Sequence, residues 1–345
     1  MLADLAVPQL DAALGTHVQT AIDSKTKPPG SLGRIEMLAL QMALAQGTAA
    51  PVADPAHLLI FAGDHGLVEE GVSAWSQEVT AQMVLNFLSG GAAANVFARA
   101  NDCEITVIDA GVATDLPDAE GLVRAGIRRG ARNAAREDAL TADEVQAALR
   151  FGADLAIDRI RGGAKVIALG EMGIGNTASA ALVAHAVAGL DLDGLTGPGA
   201  GLDAEGVARK REILVATAAR AAGSNDPSHA LQAFGGLEIA AMTGALIGAA
   251  SARAVVLVDG FIATAAAMVA LIARPEARPY TVFAHRSHEP GHRLMLDWLQ
   301  VDPLMDLDLR LGEGTGALLA LPLLRASCAM LNEMATFAEA GVSEK

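Results

Sequence analysis

One carboxylate set between glycines, in Leu311-Gly-Glu-Gly-Thr-Gly316, is the group in this chain best suited to accepting a proton. In a tight, poorly solvated turn the charged form of Glu313 is disfavoured. That raises its pKa toward the range in which a carboxylate serves as a general base. An ordinary turn glutamate has the same local sequence, so the motif alone leaves both readings open.

A second motif, Gly170-Glu-Met-Gly-Ile-Gly-Asn-Thr-Ala-Ser179, follows an apolar run and opens a helical one. Exposed N–H groups and the helix dipole at such a turn suit a phosphate or sugar hydroxyls. Glu171 would repel an anion, so hydrogen bonding to ribose hydroxyls is its more sensible task, with Gly173, Gly175 and Asn176 shaping the turn. A plain helix cap is the alternative. The segment is neither a Walker loop nor a GxGxxG dinucleotide fingerprint in register. A third cluster, Thr196-Gly-Pro-Gly-Ala-Gly-Leu-Asp203, precedes a helix carrying Arg209 and Lys210. Gly197 and Gly199 would let backbone wrap a phosphate that Lys210 neutralises. Two such clusters with a nearby cation favour a phosphorylated small substrate.

The remaining candidates are softer. Asp64-His65 could be an acid/base pair. His285, Arg286, Ser287, His288, Glu289 and His292 crowd one loop, but their spacing matches no familiar ligand pattern, so no metal is expected. Cys103 and Cys328 suggest neither a disulfide framework nor a zinc cluster, and a reduced, cytoplasmic setting fits them.

These residues need a scaffold that brings strand ends together. Apolar runs recur at 57–66, 104–112, 164–177, 254–261, 279–291 and 307–316, each ending in glycine or polar residues. Helical stretches are expected at 77–100, 141–161, 177–188, 204–222, 234–250 and 261–273. Alternation of this kind predicts an α/β fold with a doubly wound, mostly parallel six-stranded sheet. Its ligands bind beyond the carboxyl ends of the strands, where Asp64, Asp109, Glu171, Asp259, His285 and Glu313 all fall. The two ends of the chain read as helices that do not alternate with strands. The expected organisation is therefore a large α/β catalytic domain over 28–316 and a small helical domain from 1–27 and 317–345.

Composition narrows the function. A formal charge of -15 and a pI near 4.9 disfavour a nucleic-acid partner. Hydrophobic residues at 52% against 19% charged supply a real core. The N-terminus has acids where a signal peptide needs bases, and the apolar stretch 260–273 is shorter than the ~20 residues that span a bilayer. No membrane association is expected. With 36 glycines and 3% aromatic residues, sites made of backbone are favoured over aromatic stacking platforms.

Several motifs in order carry a resemblance. Thr26-Lys-Pro-Pro-Gly-Ser-Leu-Gly-Arg34, Gly63-Asp-His-Gly66, Glu78-Val-Thr-Ala-Gln-Met-Val84, Gly90-Gly-Ala-Ala93, the 170–177 turn, Val258-Asp-Gly260, Glu289-Pro-Gly-His292 and Leu311–Gly316 together resemble the nicotinate-nucleotide:dimethylbenzimidazole phosphoribosyltransferase family of cobalamin synthesis. The match spans about residues 20–330. It implies a homodimer that transfers phosphoribosyl from nicotinate mononucleotide to 5,6-dimethylbenzimidazole, giving α-ribazole 5′-phosphate and nicotinate, with no cofactor. Carried across, Glu313 is the proton acceptor, and Glu171 and Gly173 face the ribose. The 196–201 loop with Lys210 takes the phosphate, and Gly312 lets backbone close in. Ser287 lies near the nicotinate carboxylate. Ser76, Met83, Leu85 and Phe87 line the benzimidazole slot, with Phe87 its stacking partner and Leu85 a departure where some relatives are polar. Two other readings stand beside this one: a non-catalytic nucleotide-binding or sensory protein, which would not need Glu313, and a nicotinamide-dependent oxidoreductase, which lacks its fingerprint after the first strand.

Overall fold

Near-continuous apolar runs fold as strands covered on both faces. In the computed structural model, which describes residues 1–343 apart from 222 and 224, six strands form one parallel sheet. They are β1 (Ala56–Gly63), β2 (Cys103–Gly111), β3 (Leu122–Arg124), β4 (Val166–Met172), β5 (Val255–Val258) and β6 (Thr281–Phe283), in the order β3-β2-β1-β4-β5-β6. The chain winds outward from β1 in one direction and from β4 in the other. The switch point therefore lies between Gly63 and Glu171, where a doubly wound sheet opens a crevice. A two-stranded ribbon, β7 (His285–Arg286) with β8 (Met305–Asp306), stands apart from the sheet.

The sixth strand is not the one expected from the apolar pattern. The 307–316 segment stays out of the sheet, because Asp308, Gly312, Glu313 and Gly314 all have positive φ (55°, 83°, 63° and 81°), which no strand accommodates. Its place in the count is taken by β3, three residues paired with Val107–Asp109 and too short to show a period.

The helices are α1 (Ala12–Asp23), α2 (Arg34–Gln46), α3 (Glu78–Leu88), α4 (Ala93–Ala100), α5 (Ala142–Arg161), α6 (Asn176–Ala188), α7 (Leu192–Leu195), α8 (Ala204–Arg220), α9 (Pro227–Phe234), α10 (Leu237–Ser251), α11 (Phe261–Ala273), α12 (Pro290–Leu299), α13 (Thr315–Glu333) and α14 (Phe337–Ala340). The single helix expected at 77–100 is two, parted at Gly90 with φ 78°. That break presents a fresh helix N-terminus at Ala93. The 234–250 helix is preceded by α9, capped by Asp226 with Pro227 in its first turn. Position 222, expected to end the 204–222 helix, and the last two residues of the C-terminal segment lie outside the described residues.

Small side chains let α5 and α10 pack nearly backbone to backbone. A Cβ on Gly248 would sit 2.5 Å from the Ala153 carbonyl oxygen, and one on Gly244 would run into the Leu149 backbone. Backbone cannot yield as a side chain does, so Gly244→Val is expected to cost about 1–3 kcal/mol of stability, read as a lower urea midpoint. An unchanged midpoint would show that the two helices separate freely.

A second, smaller core gathers Val18, Ile22, Ala39, Ala43, Met330 and Leu331 from α1, α2 and the end of α13. An antiparallel bridge between Lys25 and Thr336 ties the two ends of the chain together. The first half of α13 belongs instead to the main core through Ala317, Leu318, Leu321 and Leu324. Among the described residues α13 is the one helix long and apolar enough to cross a membrane, and burial against the main core accounts for its hydrophobicity.

Candidate active site

Three consecutive left-handed residues, Gly312, Glu313 and Gly314, make the turn before α13. Glycine takes this conformation freely and glutamate does not, so Glu313 is held there by its surroundings. The Asp259 carboxylate, at the end of β5, accepts from the amides of Gly314 (3.1 Å) and Ala317 (3.0 Å). Gly170 lacks a side chain where the Glu313 carbonyl packs, since a Cβ would lie 2.7 Å from that oxygen. The Glu313 side chain is buried, and its carboxylate takes a long hydrogen bond from the Ala94 amide in the first turn of α4 (3.4 Å). Burial pushes its pKa up, the Ala94 N–H opposes this, and the charge of Asp259 adds to the rise.

Glu171, at the end of β4, is buried. Burial pushes its pKa up to about 8, Asp259 adds to the shift, and a hydrogen bond from Asn176 opposes it. At neutral pH this side chain is a neutral carboxyl that can donate as well as accept. Gly312 packs so closely on it that any side chain at 312 would strike its oxygen.

Lys210 reaches inward from α8 and is 1% exposed. Its ammonium donates to the Thr177 hydroxyl (2.9 Å) and the Gly197 carbonyl (3.1 Å). Burial pulls its pKa down to about 8, against the opposing charge of Glu289. Gly199, with φ 53°, lies over this pair: a Cβ there would sit 2.9 Å from the Thr177 hydroxyl.

One cavity is lined by Glu171, Gly173, Asn176, Gly199, Ser287 and Gly312, so six of the expected site residues meet there, together with Thr177, His285, Glu289 and Arg310. Gly175, with φ 91°, caps α6 just behind it. Lys210 and Gly197 stand behind the wall at Thr177 and Glu289, and Thr196 turns its hydroxyl back to the Leu192 carbonyl (2.7 Å) to close α7. Glu313, Ser76, Met83, Leu85 and Phe87 do not line this cavity; Glu313 sits one residue past its wall at Gly312. Ser76 precedes α3 and is exposed, Met83 is half-buried, and Leu85 is exposed.

Phe87 corrects an expectation: it is 2% exposed on the core face of α3 with Thr80, Ala81 and Val84, so its ring has no free side for stacking. The accessible ring is Trp75, whose indole N–H donates to the Ala200 carbonyl (2.9 Å) beside the cavity. A tryptophan next to Ser76, in a chain with only two, is the signal that would have found it. Thr177 and Glu289 lie within the 170–177 and 289–292 motifs, and Arg310 directly precedes the 311–316 motif. Asp259 was legible as a strand-end acid within the Val258–Gly260 motif, with no role attached to it.

Asp64 and His65 do not pair with each other as an acid and base. His65 meets Glu238 of α10 at 2.7 Å. Burial opposes its charge, but the Glu238 carboxylate outweighs this and raises its pKa. Asp64 accepts from the Thr80 hydroxyl (2.6 Å) and the Ala113 amide (2.8 Å), and the Thr80 oxygen accepts from the Ile174 amide (3.1 Å). This chain of bonds braces α3 against the turn after β4. The 285–292 loop is likewise locked by side chains. His292 accepts from the Ser287 amide (2.8 Å) and meets the Thr264 hydroxyl (2.9 Å), and burial pulls its pKa down to about 3. Among the described residues no three His, Cys, Asp or Glu side chains gather as a metal-ligand set.

Comparison with known proteins finds relatives along nearly the whole chain. The family model described as Phosphoribosyltransferase matches residues 7–342. The chain is 51% identical over 342 residues to the nicotinate-nucleotide–dimethylbenzimidazole phosphoribosyltransferase of Aromatoleum aromaticum, covering 99% of both chains. It is 52% identical over 337 residues to the enzyme of that name from Cupriavidus taiwanensis, covering 98% of this chain and 97% of the other. A crystal structure of the Thermus thermophilus enzyme of the same name superposes with a TM-score of 0.92 at 43% identity, over 97% of this chain and 100% of that one.

Proposed function

The chain belongs to the nicotinate-nucleotide:dimethylbenzimidazole phosphoribosyltransferase family, and on that membership we propose how its residues divide the reaction. It is a phosphoribosyltransferase that moves the 5-phosphoribosyl group of nicotinate mononucleotide to 5,6-dimethylbenzimidazole, giving α-ribazole 5′-phosphate and nicotinate. The observation that carries the residue assignment is the buried carboxylate of Glu313, held on the turn whose Gly312 packs against Glu171 at the cavity wall.

The phosphate lies against the 196–201 loop, with Lys210 as its buried counter-charge and Arg310 as a second cation on the cavity wall. Glu171, in its neutral form, and Asn176 meet the ribose hydroxyls, where Gly173 and Gly175 keep backbone close. The nicotinate carboxylate lies toward Ser287, whose hydroxyl remains able to donate while its oxygen accepts from the Glu289 amide (3.3 Å). Gly312 keeps that side of the ribose pocket free of a side chain. The base enters beside Ser76, Met83 and Leu85, with Trp75 covering it and Phe87 supporting α3 from below.

The chemistry asks little of the protein beyond placement. The pyridinium of the donor makes C1′ electrophilic. One benzimidazole nitrogen attacks C1′ from the face opposite nicotinate, the C1′–N bond breaks, and its electron pair stays on the nicotinate ring nitrogen. Glu313 takes the proton from the other benzimidazole nitrogen. In-line displacement turns a β-nucleotide into an α-product, and holding two flat rings on opposite faces of the ribose supplies on the order of 7–11 kcal/mol. We read the active form as a homodimer, with a large α/β catalytic domain and a small helical domain that gathers α1 and the end of α13 on α2.

Incubating the protein with nicotinate mononucleotide and a panel of benzimidazole, purine and phenolic bases, with products identified by mass, tests the assignment. The α-nucleotide of dimethylbenzimidazole and an equal amount of nicotinate are expected. No product with any base would overturn it.

A further inference from the structure

We propose that Asp259 is the positioning residue for Glu313: it holds the turn on which the base is presented and faces it with a like charge. This rests on the reading of Glu313 as the proton acceptor. Asp259 follows β5 directly, so its place is set by the sheet, and it is 2% exposed. Its two oxygens accept from the amides of Gly314 and Ala317, both just after Glu313 and both at the N-terminus of α13, where a carboxylate is favoured by the helix dipole. Thr315 closes the same turn through the Gly312 carbonyl (2.8 Å). Without Asp259 the left-handed backbone of Glu313 (φ 63°) loses its anchor, and relaxation to negative φ would swing the carboxylate off the site.

The titratable and polar groups near Glu313 lie on several elements. Asp259 faces it from the end of β5 with a like charge, Glu171 stands at the end of β4 as a neutral carboxyl, and α4 offers the Ala94 N–H. His285, on β7, stands 3.4 Å from Asp259, and Arg310 lies exposed three residues upstream. The like charge of Asp259 makes Glu313 harder to ionise and so a stronger base once ionised. Removing Asp259 also takes from His285 the carboxylate it stands beside.

The test is the pH dependence of kcat for wild type, Asp259→Asn, Asp259→Glu and Glu313→Gln, each checked for folding by circular dichroism. Asp259→Asn is expected to lower kcat by about 10–100-fold, since misplacement of a reacting group can cost 10²-fold, and to move the acid limb of the profile to lower pH. The substrates' own titrations are common to all variants and drop out of the comparison. Asp259→Glu keeps the charge and displaces the oxygens, so it should lower kcat with the limb in place. That variant also keeps the proposal testable should Asp259→Asn fail to fold: a limb that moves in Asp259→Glu, or a wild-type rate there, would overturn it. A folded Asp259→Asn with a wild-type rate, or with a lowered rate and an unmoved limb, would overturn it as well. If Glu313→Gln is inactive in those cases, only the proposal falls; if Glu313→Gln keeps the wild-type rate, the reading of Glu313 as base falls first and takes the proposal with it.

Discussion

Replacing Glu313 by alanine is expected to lower turnover by roughly 10²–10⁴-fold, the usual contribution of a placed general base, while nicotinate mononucleotide still binds. In the proposed arrangement Glu313 touches neither the sugar nor the phosphate, so its loss should appear in kcat and leave the apparent affinity for the nucleotide largely unchanged. The accompanying pH profile has a defined sign. Glu313 must be ionised to accept a proton, and burial raises its pKa above the ordinary glutamate value of about 4.3. Activity should therefore fall on acidification through that raised pKa, and the limb should vanish from whatever activity Glu313→Ala retains. Stopped-time assays of nicotinate release measure both. A wild-type rate in the purified variant would end the role assigned to this carboxylate.

The second large effect is expected at Lys210. Lys210→Met keeps an unbranched chain and removes the charge, so the loss falls on phosphate recognition. Hydrogen bonds to charged groups contribute about 1.5–3 kcal/mol, which corresponds to a rise of roughly 10–150-fold in KM for nicotinate mononucleotide and little change in KM for the base. The wild-type enzyme should also show a pH dependence of its own. With a pKa near 8, Lys210 is cationic at neutral pH and loses its charge as pH rises through that value. Nucleotide binding, measured by titration calorimetry, should weaken on that side and be flat there in Lys210→Met. Equal affinities for the two proteins would place the phosphate elsewhere.

Removing this buried cation need not weaken the fold. Lys210 is desolvated and reaches only the neutral partners Thr177 and Gly197 directly, so the folded protein bears a desolvation cost that methionine would relieve. Affinity and stability are thus expected to move independently at this position.

Much of the scaffold could be read before any coordinates. The runs that became β1, β4 and β5 are apolar on both faces, and buried parallel strands require that. The 261–273 stretch coincides with α11 because glycine precedes it and a charged Arg274 follows it. Thr141 and Glu144 announce the start of α5 by a reciprocal cap. The 307–316 segment misled because leucine alternating with polar residues looks like a strand, whereas its backbone is set by glycines and by Asp259, some fifty residues upstream in the chain. The site glycines were legible because close approach leaves no other residue possible. Thr80 and Glu238 were not, since each acquires meaning only through a partner distant in sequence, Ile174 for the first and His65 for the second. Phe87 was misplaced because an aromatic ring near a site and one beneath it look alike until the helix face is known.

The bond from the Ile174 amide to Thr80, and on to Asp64, bears on substrate range. It fastens α3 to the turn after β4, so in the proposed arrangement the wall behind the incoming base and the floor beneath the sugar shift as one body. A bulkier base could not gain room by pushing α3 outward without also displacing the groups that hold the ribose. Its extra volume would have to be found at Trp75, whose indole donates to the Ala200 carbonyl and stands half in solvent. Tolerance for unusual bases would then evolve through the residues just before α3, while the helix itself stays constrained by the sugar.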